Sequence, residues 1–257
     1  MSGPAAPPGP TVPGRHPARR RWAWILGIVA VLLVGATAVV LHSPWMSVRQ
    51  VEILGSDHAD VAGGLVAAGV GEGAIMIWLN PGEIEAAVGA DPWVREVRVE
   101  RIFPSRLVVE VLEHTPAVWV SGEGSWMLVA RTGAVLATAD APGEGLLLAE
   151  VFYPDHEAGE EPGGEWQELA ELGWALGEDL AAGAVVTRER GELWLQAGGC
   201  RARLGPATQL AEKGRAFAGL LEAGLPTGAE VDLIAPSRPA VTVPGGAPPD
   251  GEGTPSG

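Results

Sequence analysis

The sequence predicts an α+β protein: one long apolar helix near the N-terminus, a small three-stranded unit that carries two helices, and a larger β-rich unit. Three observations lead there. The 20-residue run 22–41 contains no charge, proline or strongly polar side chain. Over the next ~65 residues, alternating and helical periodicities succeed one another in the order strand, helix, helix, strand, strand. Beyond about residue 116, short strand-like runs dominate and only two further helical stretches interrupt them.

The apolar run would be about 30 Å long as a helix, close to the hydrocarbon thickness of a bilayer. Eleven of its residues are Ile, Leu or Val, so it is expected to form a single transmembrane helix over 22–41. Arg15, Arg19, Arg20 and Arg21 precede it, and the first basic residue after it is Arg49. The positive-inside rule then places 1–21 in the cytoplasm and the rest of a single-pass chain outside the cell membrane. Trp22, Trp24 and Trp45 fit interfacial anchors. Ala36-Thr37-Ala38 also has the small-residue pattern of a signal-peptide cleavage site, although Val39-Val40-Leu41 continues the apolar run beyond it. Residues 1–21 and 244–257, rich in Pro and Gly, are expected to be disordered tails.

Charge excludes one class of partner. All 32 acidic residues but only 13 of the 17 basic ones lie beyond residue 41. That region repels phosphate and has no basic patch, so nucleic acid is not expected as a partner.

No catalytic, cofactor or metal site emerges. Cys200 is the only cysteine, which excludes an internal disulfide and a multi-cysteine metal centre. It sits near Arg201 and Arg203 without a base. His16, His42, His58, His114 and His156 lack zinc-ligand spacing, and Asp155-His156-Glu157 reads as an acidic loop. Gly69-Val70-Gly71-Glu72-Gly73 lies between helices rather than after a strand, which is the wrong context for a dinucleotide loop. Lys213, the only lysine, leaves one candidate for lysine chemistry.

In the first unit, Ser47 to Leu54 reads as a strand with Val51 and Ile53 on one face. A helix from about His58 follows, with Val61, Leu65 and Ala68 at helical spacing and Asp57 as cap. The next helix has Asn80 as cap, Pro81 in its first turn, Glu83 at the third position and a Leu79–Ile84 staple, and it ends at Val88 and Gly89. Two strands, around Val97 and Val99 and around Leu107, Val109 and Val111, flank a turn with Pro104. Both helices are expected to cover one face of a three-stranded sheet.

In the second unit, strands are expected at 117–120, 126–129, 135–137, 146–148, 185–188, 193–196, 201–204, 231–234 and 240–243. Helices are expected at 166–180 and 208–223.

Val51-Glu52-Ile53-Leu54-Gly55, Pro92-Trp93-Val94, Val97-Arg98-Val99, Phe103-Pro104-Ser105, Leu107-Val108-Val109-Glu110-Val111 and Glu113-His114-Thr115-Pro116-Ala117, in this order after one apolar helix, resemble the bacterial cell-division family FtsQ, also called DivIB. Thr132-Gly133, Leu204-Gly205, Lys213 and the segment Val231-Asp232-Leu233-Ile234-Ala235-Pro236-Ser237-Arg238-Pro239-Ala240-Val241 continue the likeness. Ala130 departs from the family's common aspartate.

The resemblance implies a POTRA domain over 47–115 and a β domain over 116–243. It also implies a non-enzymatic, bitopic scaffold of the divisome, enriched at the septum. Its partners would be FtsB-like and FtsL-like coiled-coil membrane proteins and other divisome components, linking them to septal cell-wall synthesis. Val231, Leu233, Ser237, Arg238, Ala240 and Val241 are the candidate partner-binding residues, and Pro92, Trp93, Arg95 and Arg98 the candidate POTRA contact or support residues. The alternative is a POTRA-containing envelope protein that binds polypeptides outside cell division.

Overall fold

The computed structural model describes residues 17–41 and 46–243, with side chains of the first segment at 22 and 24–39. The expected tails, apart from 17–21, and Trp45, His16 and His42 lie outside the described residues. The first segment is a helix, α1 (Pro17–Leu41), whose described side chains are all exposed. Among the described residues, however, no helix is long and apolar enough to cross a membrane. The expected transmembrane helix is corrected on this finding, and with it the single-pass topology, the cell-membrane location and the bitopic part of the functional expectation.

The next unit begins with β1 (Gln50–Leu54), α2 (Val61–Ala67) and α3 (Pro81–Val88), followed by β2 (Val94–Ile102) and β3 (Arg106–Glu113). The sheet order is β1-β3-β2, with β1 parallel and β2 antiparallel to β3. A parallel neighbour needs a crossover, and the two helices supply it. Leu107, Val109 and Val111 alternate toward the helices and bury against Val61, Leu65, Ile84 and Val88.

The second helix starts as its sequence dictates: Asn80 Oδ1 accepts from Gly82 N at 3.1 Å and Pro81 occupies the first turn. The first does not. Asp60, not Asp57, caps α2 by accepting from Gly63 N at 2.9 Å. The backbone N–H groups of Asp57, His58 and Ala59 are instead drawn onto the Glu113 carboxylate, which holds 57–59 as a loop.

The remaining strands are β4 (Pro116–Gly122), β5 (Trp126–Ala130), β6 (Val135–Ala139), β7 (Leu147–Tyr153), β8 (Val185–Glu189), β9 (Glu192–Ala197), β10 (Cys200–Gly205), β11 (Glu230–Asp232) and β12 (Ala240–Thr242). They form one nine-stranded sheet in the order β12-β11-β10-β9-β8-β7-β4-β5-β6. Helices α4 (Glu165–Leu176) and α6 (Leu210–Glu222) supply Leu169, Leu172 and Phe217 to the core on one face.

Strand β4 is buried on both faces, with Val118 and Val120 in that core and Trp119 in a second cluster with Leu128 and Leu136. The expected helix 166–180 is broken. Gly177 adopts φ +78°, which ends α4 and starts the short α5 (Glu178–Ala181) even though the apolar spacing runs on to Leu180. Strand β7 extends well past the expected 146–148, because Leu147, Ala149 and Val151 continue to bury beneath the helices.

Candidate functional site

Two surfaces carry the residues singled out above. The first is the free edge of the nine-stranded sheet. Strand β12 pairs antiparallel with β11 through Glu230 with Thr242, Val231 with Val241 and Asp232 with Ala240, and all three β12 residues are exposed. Its opposite edge has no strand partner among the described residues.

The six C-terminal candidates divide here. Val231 and Leu233 are fully buried in the core, whereas Ser237, Arg238, Ala240 and Val241 are exposed. Leu233 N donates to Arg203 O at 2.9 Å, and Arg238 N closes a turn onto Ala235 O at 3.0 Å.

On the sheet face beside Ala240 and Thr242, charges alternate. Arg203 reaches Glu192 at 2.7 and 2.8 Å and Asp232 at 3.3 Å. Arg201 pairs with Glu189 and lies 4.0 Å above the Trp194 ring. The hydrogen bond from Arg203 holds the Glu192 carboxyl below its ordinary value and raises Arg203 in turn.

The second surface is the junction between the two sheets. Trp93 is half-buried and packs against the cluster of the larger sheet that contains Trp119, Leu128 and Leu136. Its ring stacks on His58 at 4.4 Å and 10°. Its N–H donates to Asp91 Oδ1 at 2.9 Å, and its carbonyl accepts from His114 N at 2.8 Å.

Nearby, Glu113 accepts from the backbone N–H of Asp57, His58 and Ala59 at 2.8–2.9 Å and lies 3.0 Å from His58 Nδ1. Burial pushes its carboxyl up, but the bonds from Ala59, His58 and Asp57 together hold it at about 2. Pro92 is half-buried beside Trp93. Arg95 and Arg98 are both exposed but are not brought together. Arg95 lines a hollow at the junction with His114 and Arg131, while Arg98 lies on the open face of the small sheet, 3.5 Å from Glu96.

The residues weighed for chemistry have structural partners. Cys200 is buried with Sγ 3.3 Å from Pro226 O. His156 contacts Glu160 at 2.6 Å. Among the described residues, no group of three or more His, Cys, Asp and Glu is placed to hold a metal ion. Lys213 is buried and donates to Leu204 O at 2.7 Å and Pro206 O at 3.1 Å, with burial driving its amine below the ordinary value. Sequence reasoning did not assign Glu113, Arg131 or Trp174 to either surface. Their only signal is position, one at a strand end and two opposite each other across a turn and a helix terminus.

The β-α-α-β-β unit, with a crossover of two helices and a mixed sheet behind it, defines a POTRA-bearing protein. The POTRA domain of FtsQ type matches residues 46–114. The chain is 31% identical over 173 residues to the cell division protein FtsQ of Anaeromyxobacter sp. (strain K), covering 64% of this chain and 58% of that one. It is 30% identical over 98 residues to FtsQ of Corynebacterium glutamicum, covering 38% and 44%. With FtsQ of Streptomyces bingchenggensis it shares 27% identity over 245 residues, 87% of each chain. The match spans about half the length of the first two relatives. These matches support assignment of the chain to the FtsQ/DivIB family.

Proposed function

We propose that the protein is a non-enzymatic scaffold of bacterial cell division that receives a strand from a small coiled-coil partner, FtsB-like or FtsL-like, at the β12 edge. The reading is carried by one observation: β12 ends the nine-stranded sheet with Ala240, Val241 and Thr242 all exposed. An edge strand offers a row of backbone donors and acceptors, and an added strand takes its affinity from them and its selectivity from alternate side chains. Ala240 and Thr242 stand beside the Arg203–Asp232 charges, while Val241 pairs with the buried Val231. The added strand would therefore meet a polar face and an apolar one. Val231 and Leu233 support the edge from within the core, and Ser237, Arg238, Ala240 and Val241 are the candidate contacts. In this reading the POTRA unit serves contacts with other division components.

The test is co-purification of the full chain with an FtsB-like protein. The Val241→Pro variant should lose at least about 10-fold in recovery, since proline cannot donate to a ladder. Unchanged recovery from a folded variant would reject the β12 placement.

A further inference from the structure

The hollow at the junction is built from elements other than the β12 edge. The register pairs Val94 with Glu113 and Glu96 with Leu112, which leaves Arg95 as the extra residue of a bulge. A second shift, Pro116 with Ala130 and Val118 with Val129, leaves Ala117 extra. Bulges re-aim side chains, and these two flank the connection His114-Thr115. Arg131 follows β5 and donates its backbone N–H to Thr115 O at 3.0 Å. Its guanidinium lies 4.6 Å over the ring of Trp174, which is 52% exposed at the C-terminal end of α4. Arg95, His114, Arg131 and Trp174 line one hollow of about 300 Å³.

Thr115 and Trp174 also line a second hollow of about 350 Å³, with Pro116, Ala117, Leu146 and Ala181 as its apolar walls. Two glycines shape it. A Cβ on Gly173 would stand 2.4 Å from Ala117 O, so only glycine lets α4 lie this close to β4. Gly177, at φ +78°, parts α4 from α5 and opens the cleft.

Two arginines and two glutamates line these hollows, Arg95 and Arg131 with Glu171 and Glu178, and the arginines are left unpaired. In a protein with 32 acidic and 17 basic residues, neither Arg95 nor Arg131 has a carboxylate partner among the described residues. Glu171 lines the same hollow but is engaged by Gln167 Nε2 at 3.3 Å. Burial and then Arg95 drive the His114 imidazole below its ordinary value, with Glu161 opposing.

We propose that the junction is a second polypeptide-binding site, one that takes an acidic segment of a partner protein with an apolar side chain next to a carboxylate. The carboxylate meets the forks of Arg95 and Arg131, the latter held in place by the Trp174 face. The apolar side chain leaves water for the cleft between Leu146 and Ala181.

The experiment uses the full chain labelled with 5-fluorotryptophan, whose ¹⁹F resonance for Trp174 is assigned with Trp174→Phe. Two probes are titrated, N-acetyl-Leu-Glu-Leu-amide and its Gln counterpart. The Trp174 line should move saturably with the Glu peptide and at least about 5-fold more weakly with the Gln peptide, as expected for a lost charge-assisted bond. Arg95→Met, which leaves the Arg131–Trp174 stack in place, should weaken the Glu response by a similar factor. Val241→Pro should leave it unchanged, so failure of the β12 reading and failure of this one are separable. A Trp174 line that stays still, that responds equally to both peptides, or that loses its response in Val241→Pro overturns the proposal.

Discussion

At the junction, Trp93 is held by the His58 ring, by the second cluster of the large sheet and by its backbone, whose N–H donates to Asp91 and whose carbonyl accepts from His114 N. At the far edge, β12 meets the molecule through three residue pairs, with no buried side chain of its own. The two places hold chain to chain by different means. Where two sheets must keep a fixed relation, the sequence uses an aromatic side chain with a shaped contact. Where a strand is to stay available, it uses little beyond the ladder, and such segments open at low free energy.

The contrast predicts a steep order of effects. Trp93→Ala should be the most damaging, at about 2–3 kcal/mol, somewhat below the cost of truncating a fully buried aromatic because Trp93 is only half-buried. It should also loosen the link between the sheets. Calorimetry of the variant should resolve two transitions where the parent has one, and a single transition at an unchanged midpoint would show that the junction is not what couples them. Lys213→Met tests the large sheet alone. It leaves the carbonyls of Leu204 and Pro206 without their donor and should cost about 1–3 kcal/mol in denaturant unfolding.

Glu113 adds a pH signature to the small unit, where it anchors the 57–59 loop. Its folded value of about 2 lies below the ordinary 4.5, so its contribution is fully present above 4.5 and is lost as pH falls from 4.5 toward 2. Glu113→Gln should be less stable at neutral pH and should flatten the fall in stability across that window. Parallel stability–pH curves for parent and variant would remove Glu113 as the anchor of that loop.

Much of this architecture could be read from local patterns, and the exceptions have physical causes. Asn80-Pro81 announces its helix because cap and first turn are local chemistry. Asp57 misled because the N–H groups of 57–59 are committed to Glu113, a residue more than 50 positions away. Helix 166–180 read as continuous because side-chain spacing does not report the positive φ of Gly177. The run 22–41 met the length and polarity expected of a span, yet no described helix meets them.

Of the ten candidate residues, the strand pattern put Val231 and Val241 on two terminal strands but could not separate the buried Val231 and Leu233 from the exposed Ser237, Arg238, Ala240 and Val241. Burial of a strand depends on what lies beyond its neighbour, and nothing lies beyond β12 among the described residues. Arg131 and Trp174 were not legible at all, since their meeting depends on a turn and a helix end brought together by the packing of α4 on β4.

The smallest expected effect on stability is at β12 itself, where the comparison is most exposed to failure. Val241→Pro removes at most one donor from the ladder, a net change of about 0.5–1.5 kcal/mol for the strand. Because β12 buries no side chain, it can detach without disturbing Val231 and Leu233, which remain under α6 and against β10. Global unfolding then starts from a state in which the strand is already open, and most of that local loss does not reach the midpoint. The expected result is a thermal midpoint within about 2 °C of the parent, together with faster amide exchange confined to β11 and β12. A midpoint lowered as far as in Trp93→Ala would mean that β12 is part of the cooperative core, and the division between a fixed junction and an available edge would fall.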